Sequence, residues 1–201
     1  KCANVPVMSG GTGDEFPSFL LASSEEEFKE KVQELFGEDA DVFLALPEAQ
    51  ANDGNGHYAK ANGIACTVKG VFGATKENGS ANNHYYYQFT PDIPGWDNPG
   101  TFHSVDLWFF FETLAKCWRP FVGRHYDLAR HMCNYWANFI ITGDPNGVVA
   151  DGSPMPEWKP YTNESPAGMS FTSEGAVPTE GEDTEYNKLI TKSILKIINE
   201  G

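Results

Sequence analysis

The sequence predicts an α/β fold that carries only part of a sheet. Three observations predict it. Strand-like and helix-like stretches alternate along the chain. Helical patterns outnumber strand patterns, and a complete doubly wound sheet needs more strands than these 201 residues offer. The chain also starts at Lys1 and enters a strand-like run, "NVPVMSGG", almost at once. It reads as joining a fold already under way, so the expectation is a processed piece or a fragment, and the compartment stays open.

Residues 5–8 read as a short buried strand running into the glycine-rich loop "GGTGDEF". "SSEEEFKEKVQELFGED" predicts a helix. Ser24 caps it, and Glu27, three residues on, completes a capping box. Its acidic first turn suits the helix dipole. Phe28, Val32, Leu35 and Phe36 share one face, and Gly37 stops it. "DVFLALPEAQ" predicts a further short helix, and "HYAKANGIACTVKGVFGATKENG" a weaker one broken by glycines. "NNHYYYQFTPD" is the best strand, aromatic and ended by Thr-Pro. The loop "DIPGWDNPGTFHS" follows, dense in Pro, Gly and Asp. Long aromatic-bearing loops of this kind tend to be functional. "LWFFF" predicts a short buried helix. "HYDLARHMCNYWANFIITGDPNG" is a second clear helix, with Leu128, Met132, Tyr135, Trp136 and Phe139 at helical spacing and a turn at its end. "EWKPYT" and "GMSFTSEG" read as loop and short strand. "DTEYNKLITKSILKIINEG" closes the chain as an amphipathic helix with Leu189, Ile190, Ile194, Ile197 and Ile198 inward. There is no internal repeat.

Lys and Arg number 14 against 28 Asp and Glu, a formal net charge of −14. That balance argues against nucleic acid or anionic lipid as partners. No run reaches the ~18 apolar residues that span a bilayer. The aromatic content of 13% supplies a substantial core. Cys2, Cys66, Cys117 and Cys133 form no CxxC pair and have no histidines at zinc spacing, so no metal or cofactor is expected. They read as free thiols, with one or two disulfides open in a secreted setting.

The candidate chemistry lies in two loops. Asp14 and Glu15 directly follow the first strand, and His103 follows the aromatic strand by a loop. Catalytic groups gather at the carboxyl ends of strands in open α/β sheets. In a triad the acid fixes the histidine tautomer and stabilises the imidazolium that forms when the histidine takes the nucleophile's proton. One triad order runs nucleophile, acid, histidine. Acid and histidine stand here in that order, but no G-x-S-x-G turn occurs anywhere. Cys2 is the only cysteine upstream of the acid, and its surroundings make no elbow. Phe16, Phe19 and Trp96 flank the two loops and could shape an acyl or alcohol site. His57, His84, His125 and His131 have no partner pattern and read as surface or satisfied histidines.

"GGTGDEF", "GTFHSVDLWFFF", "LARHMCNYWANFIITGDPNG" and "EWKPYT" fall in one order at plausible spacings. Together they resemble the C-terminal part of the type-B carboxylesterase family, which includes the cholinesterases and bacterial para-nitrobenzyl esterases. The resemblance spans residues 5–161 and is weaker between 47 and 80. It implies that residues 1–201 are the C-terminal part of a single α/β-hydrolase catalytic domain, a few strands with flanking helices. It implies Glu15 as catalytic acid, with Asp14 the adjacent alternative, and His103 as catalytic histidine. Asp106 matches an acidic position after the histidine. A buried hydrogen-bonding or charge partner near the site fits it, and so does a helix N-terminal carboxylate meeting the dipole. Cys133 stands where secreted cholinesterases carry half a disulfide and Cys66 roughly where its mate would be; two buried free thiols is the competing reading.

The implied reaction is ester hydrolysis through an acyl-enzyme. The family's nucleophilic serine and its "GG" oxyanion loop belong to the N-terminal part, which this sequence lacks. The chain is therefore expected to supply acid and base but to be inactive alone. Its expected partners are a small-molecule ester and the N-terminal part of the same enzyme. The alternative is a non-catalytic, protein-binding module like the family's adhesion members. The residue at the upstream elbow separates the two, and the preferred ester stays open.

Overall fold

The computed structural model describes residues 4–15, 20–50, 57–58, 63–149, 152–180 and 183–200. In chain order the elements are β1 (Val7–Thr12), β2 (Leu20–Leu21), α1 (Glu25–Phe36), α2 (Ala40–Ala45), α3 (Pro47–Gln50), β3 (His57–Tyr58), α4 (Gly63–Glu77), β4 (His84–Phe89), α5 (Leu107–Phe110), α6 (Gly123–Thr142), β5 (Gly168–Thr172), β6 (Gly175–Thr179) and α7 (Glu185–Glu200). They gather into two compact units, residues 1–15 with 79–181, and residues 16–78 with 182–201.

The first unit is built on a four-stranded mixed sheet of order β1-β4-β5-β6. β1 and β5 pair parallel to β4, and β5–β6 is an antiparallel hairpin. A strand flanked on both sides by parallel partners is buried on both faces and reads as a continuous apolar run. β4, "HYYYQF", fits: all but Gln88 are buried. Alternation sends Tyr85, Tyr87 and Phe89 to one face, where they join Met169 and Phe171 of β5. Phe109 of α5 and Leu128, Met132 and Tyr135 of α6 complete that core. The result is the expected partial α/β fold.

The first strand differs from its prediction. It runs over Val7–Thr12, through the glycines rather than before them, and Val5 and Val7 are exposed. The cause is its neighbour. Gly10 sits opposite Tyr87, and a Cβ on Gly10 would lie 2.0 Å from the Tyr87 carbonyl oxygen and 2.6 Å from its ring. A bare backbone lets the Tyr87 ring lie across the strand. β6, "GAVPT", lacks a strand signature because of Pro178, and it lies at the sheet margin where proline is tolerated.

The "GDPNG" and "EWKPYT" motifs turn out to be one structural staple. Gly143 closes α6 in the left-handed region at φ 79°, its N–H bonded to Phe139 O at 2.8 Å. Asn146 then takes both backbone groups of Trp158, accepting from its N–H at 2.7 Å and donating to its carbonyl at 3.0 Å. Trp158 is fully buried, and its indole N–H reaches Tyr86 O on β4 at 3.1 Å. Trp136 and Phe139, at the same helical spacing, pack half-buried against this core. The "LWFFF" helix is less buried than predicted: Phe109 is covered, whereas Leu107 and Phe111 are exposed. A single turn of helix cannot direct five consecutive side chains to one side.

The second unit is helical, with a two-residue antiparallel pair β2–β3. Ser24 Oγ caps α1 by accepting from Glu27 N–H at 3.2 Å. The Glu27 carboxylate returns to Ser23 N–H at 2.7 Å, so the box closes one residue early. Phe28, Val32 and Phe36 are buried, and Leu35 is half-buried. Pro47 splits the single helix expected over "DVFLALPEAQ" into α2 and α3, with Leu46 extended between them. α4 is continuous where glycine breaks were expected. Gly70 faces Ile194 of α7, where a Cβ would come within 3.0 Å of Ile194 Cγ2; this glycine lets two helices approach. α7 buries Tyr186, Leu189 and Ile190 and packs Ile194 half-buried against them, but Ile197 and Ile198 are exposed, so its end leaves the core. Buried Lys69 pairs with Asp183 at 2.6 Å.

Cys66, Cys117 and Cys133 stand as free thiols, the first buried and the other two half-buried. Burial pushes the Cys66 thiol up to about 11. Cys2 lies outside the described residues. Among those described, no helix is long and apolar enough to cross a membrane, and no His, Cys, Asp or Glu group is arranged to hold a metal ion.

Candidate active site

Because β1 and β4 are parallel neighbours, their following loops leave the same end of the sheet. The ladder continues into those loops. Gly13 N–H bonds Phe89 O at 2.9 Å, Asp14 N–H bonds Thr101 O at 3.1 Å, and Asp14 bridges to Phe102. Two segments far apart in sequence are thus held side by side before either presents a functional group.

The adjacent carboxylates then diverge. Asp14 Oδ2 accepts from Thr101 N–H at 2.8 Å and from Thr101 Oγ1 at 3.0 Å. It fastens the histidine loop and does not touch the histidine. Glu15 Oε1 accepts from Thr12 N–H at 3.0 Å, and Oε2 accepts from His103 Nδ1. The Glu15 side chain is 13% exposed and His103 66%, so a sheltered acid holds an open imidazole. Of the predicted pair, the structure joins Glu15 and His103 and gives Asp14 a separate role.

Backbone conformation presents the histidine. Asn98, Gly100 and Ser104 have φ of 42°, 60° and 67°. Gly100 is doubly constrained, since a Cβ there would also sit 2.6 Å from Asp14 Oδ2. Ser104, a non-glycine residue in the left-handed region immediately after His103, marks a held turn of the kind found at functional sites.

Asp106 is buried and accepts from Tyr87 Oη at 3.1 Å. It stands at the N-terminal boundary of α5, where its side chain makes no cap hydrogen bond, and its bond with Tyr87 fits the buried-partner reading without contradicting that of a carboxylate meeting the helix dipole. Burial, and then the Glu15 charge, push its carboxyl above the usual carboxylate range. Burial likewise pushes the Tyr87 phenol up.

Trp96 is 90% exposed and forms no packed wall. Phe16 and Phe19 lie outside the described residues. Of the remaining histidines, His84 and His125 are buried, and His125 Nδ1 accepts from Val122 N–H at 2.9 Å at the start of α6. The histidine patterning missed that cap, because a histidine at the third helical position is not a usual capping signal. Thr101 and Arg119 also contribute without having been singled out. Thr101 sits among other polar loop residues, and Arg119 in "CWRPF" has no charged neighbour to suggest its partner.

The chain resembles known proteins in the same sense. Chicken (Gallus gallus) acetylcholinesterase is 30% identical over 109 residues, which are 53% of this chain and 13% of that protein. An esterase from the anaerobe Clostridium hathewayi, described as able to hydrolyse aliphatic aromatic polyesters, superimposes with a TM-score of 0.55 at 21% identity. It matches 95% of this chain and 37% of its own. A PNB esterase superimposes with a TM-score of 0.60 at 17% identity, over 92% of this chain and 38% of its own. At these identities the solved structures establish the fold, and this chain spans well under half the length of each protein named. The model of the carboxylesterase family matches residues 24–189, most of the sequence, and by that match the chain belongs to the carboxylesterase family.

Proposed function

We propose that this chain supplies the acid and base of a carboxylic ester hydrolase whose serine and oxyanion hole lie in an upstream part of the same enzyme. The observation that carries the reading is the hydrogen bond from His103 Nδ1 to Glu15 Oε2, formed where two parallel strands release their loops. With Nδ1 committed to Glu15, the proton taken from the serine hydroxyl goes to Nε2. The serine oxygen bonds the ester carbonyl carbon, and the alcohol leaves with the proton returned by His103. Water then repeats the sequence on the acyl-enzyme, giving the acid and free serine. Glu15 remains a carboxylate throughout and stabilises the imidazolium.

The substrate class is a small carboxylic ester. Without a nucleophile and the oxyanion donors, which are often the largest catalytic term, residues 1–201 alone are inactive.

The test is hydrolysis of a p-nitrophenyl ester by the purified chain, alone and mixed with the upstream segment. Turnover is expected only in the mixture, with Glu15→Gln and His103→Gln lowering it by roughly 10³-fold or more. Robust turnover by the chain alone would sink the idea of a divided apparatus. A folded mixture without turnover would favour the binding-module alternative.

A further inference from the structure

We propose that Arg119 is a positioning residue for His103, acting through Phe102 and the Asp97 turn. The inference rests on His103 serving as the base described above.

The loop that carries His103 runs over residues 90–106 without a regular strand or helix of its own. Loops of this length need fastening if they are to hold a side chain within a fraction of an ångström. Its start is tied to β5 and the turn after it, by Thr90 N–H to Phe171 O at 2.8 Å and Asp92 N–H to Ser173 Oγ at 2.8 Å. Its end is tied by Asp14 to Thr101. Arg119 works between those ties. Nη1 donates to Pro94 O at 3.0 Å and to Asp97 Oδ1 at 2.9 Å, while Nη2 donates to Asp97 Oδ2 at 2.9 Å. The guanidinium carbon also lies 5.4 Å from the Phe102 ring and 4.6 Å from the Trp118 ring, within cation–π range of both.

This is a built feature. The Arg119 side chain is buried, and a buried cation is costly unless its partner is well placed. The fork geometry meets the carboxylate with two parallel bonds, which an ammonium cannot do. Gly95 makes room for it, since a Cβ there would lie 2.4 Å from Arg119 Nη1.

Phe102 is the link to the histidine. It directly precedes His103, bridges through its backbone to Asp14, and its carbonyl accepts from Val105 N–H at 3.1 Å. Its ring packs edge-on against Trp108 at 5.9 Å. A shift of Phe102 therefore moves His103 relative to Glu15. Misplacement of a catalytic group by about 1 Å can cost roughly a hundredfold in rate.

The test reads the His103 ring directly in the 201-residue chain, by ring-nitrogen chemical shifts above the histidine titration. Glu15 holds the proton on Nδ1, so wild type should show an excess of the Nδ1–H tautomer. Arg119→Gln and Asp97→Asn are expected to lower the Nδ1–H to Nε2–H ratio about fivefold. Arg119→Lys, which keeps the charge and loses the fork, should fall between. Arg130→Gln, an exposed site, should change nothing. A merely structural Arg119 would lower the melting temperature and leave the tautomer ratio intact in the folded variants; that result overturns the proposal. If Arg119→Gln fails to fold, Asp97→Asn and Arg119→Lys decide it in the same way. In the mixture with the upstream segment, folded variants should lose kcat about tenfold at constant KM. Absence of turnover in wild type would count against the esterase reading while the tautomer ratios still decide the role of Arg119.

Discussion

Asp14 and Glu15 lie side by side in sequence, and the two carboxylates end on different partners, Asp14 on Thr101 and Glu15 on His103. The order of acid and histidine was legible from the sequence. The division of labour between the two acids was not, because it depends on Thr101 lying opposite Asp14, a pairing across more than 80 positions. Asp106 is a similar case, since only the fold puts Tyr87 above it. Asp106→Ala would leave the Tyr87 hydroxyl unpaired in the core and should cost about 1–3 kcal/mol by urea unfolding. Asp106→Asn keeps an acceptor and removes the charge. Burial raises the folded-state pKa of Asp106 above its unfolded value of about 3.9. The stabilisation it brings is thus complete below that value and is lost as pH rises through the folded pKa. Asp106→Asn should flatten this part of the stability curve; an unchanged pH dependence would contradict the assignment. Among the thiols, Cys66 should react with a thiol reagent only after unfolding, while the half-buried Cys117 and Cys133 react in the native chain.

Elements were read from the sequence where they signal themselves locally. α1, α6 and α7 carry apolar faces at helical spacing, and Ser24 and Gly143 cap where such residues should. The misreadings share a cause, which is that a local signal had a tertiary purpose. Glycines in α4 looked like breaks, yet Gly70 is where α7 comes close. At α6 the N-terminal cap depends on a neutral histidine, since His125 Nδ1 accepts from Val122 N–H. Burial first, and then nearby Arg124, lower the His125 pKa below its ordinary value, while the Asp92 charge and carbonyl act the other way. With the folded pKa depressed, the contribution is complete above the unfolded value of about 6.5 and is lost as pH falls through the folded one. Acidification should therefore cost about 1 kcal/mol at this helix start, the size of a lost cap. Chemical unfolding at pH 7 and pH 5, with His125→Gln beside wild type, measures it. Equal pH dependence in the two proteins would refute it.

Across the molecule, the shortage of strands was visible by simple counting. The division into two compact units was not, because the chain leaves the sheet unit after residue 15 and returns at 79. No local pattern announces such a return. The net charge of −14 acts at this scale, since like charges repel in any compact state. Raising salt from about 10 mM to about 150 mM shortens the screening length from ~30 Å to ~8 Å. The melting temperature should rise by a few degrees, and a fall would mean that attractive pairs outweigh the repulsion. The sheet itself has two unequal margins, β1 and β6. β6 contains Pro178, which has no N–H to offer an incoming strand, whereas β1 contains no proline. Growth by strand addition is thus one-sided. If a second copy were to dock through its own β1, both outer margins of the joined sheet would carry a proline that disfavours adding a further strand.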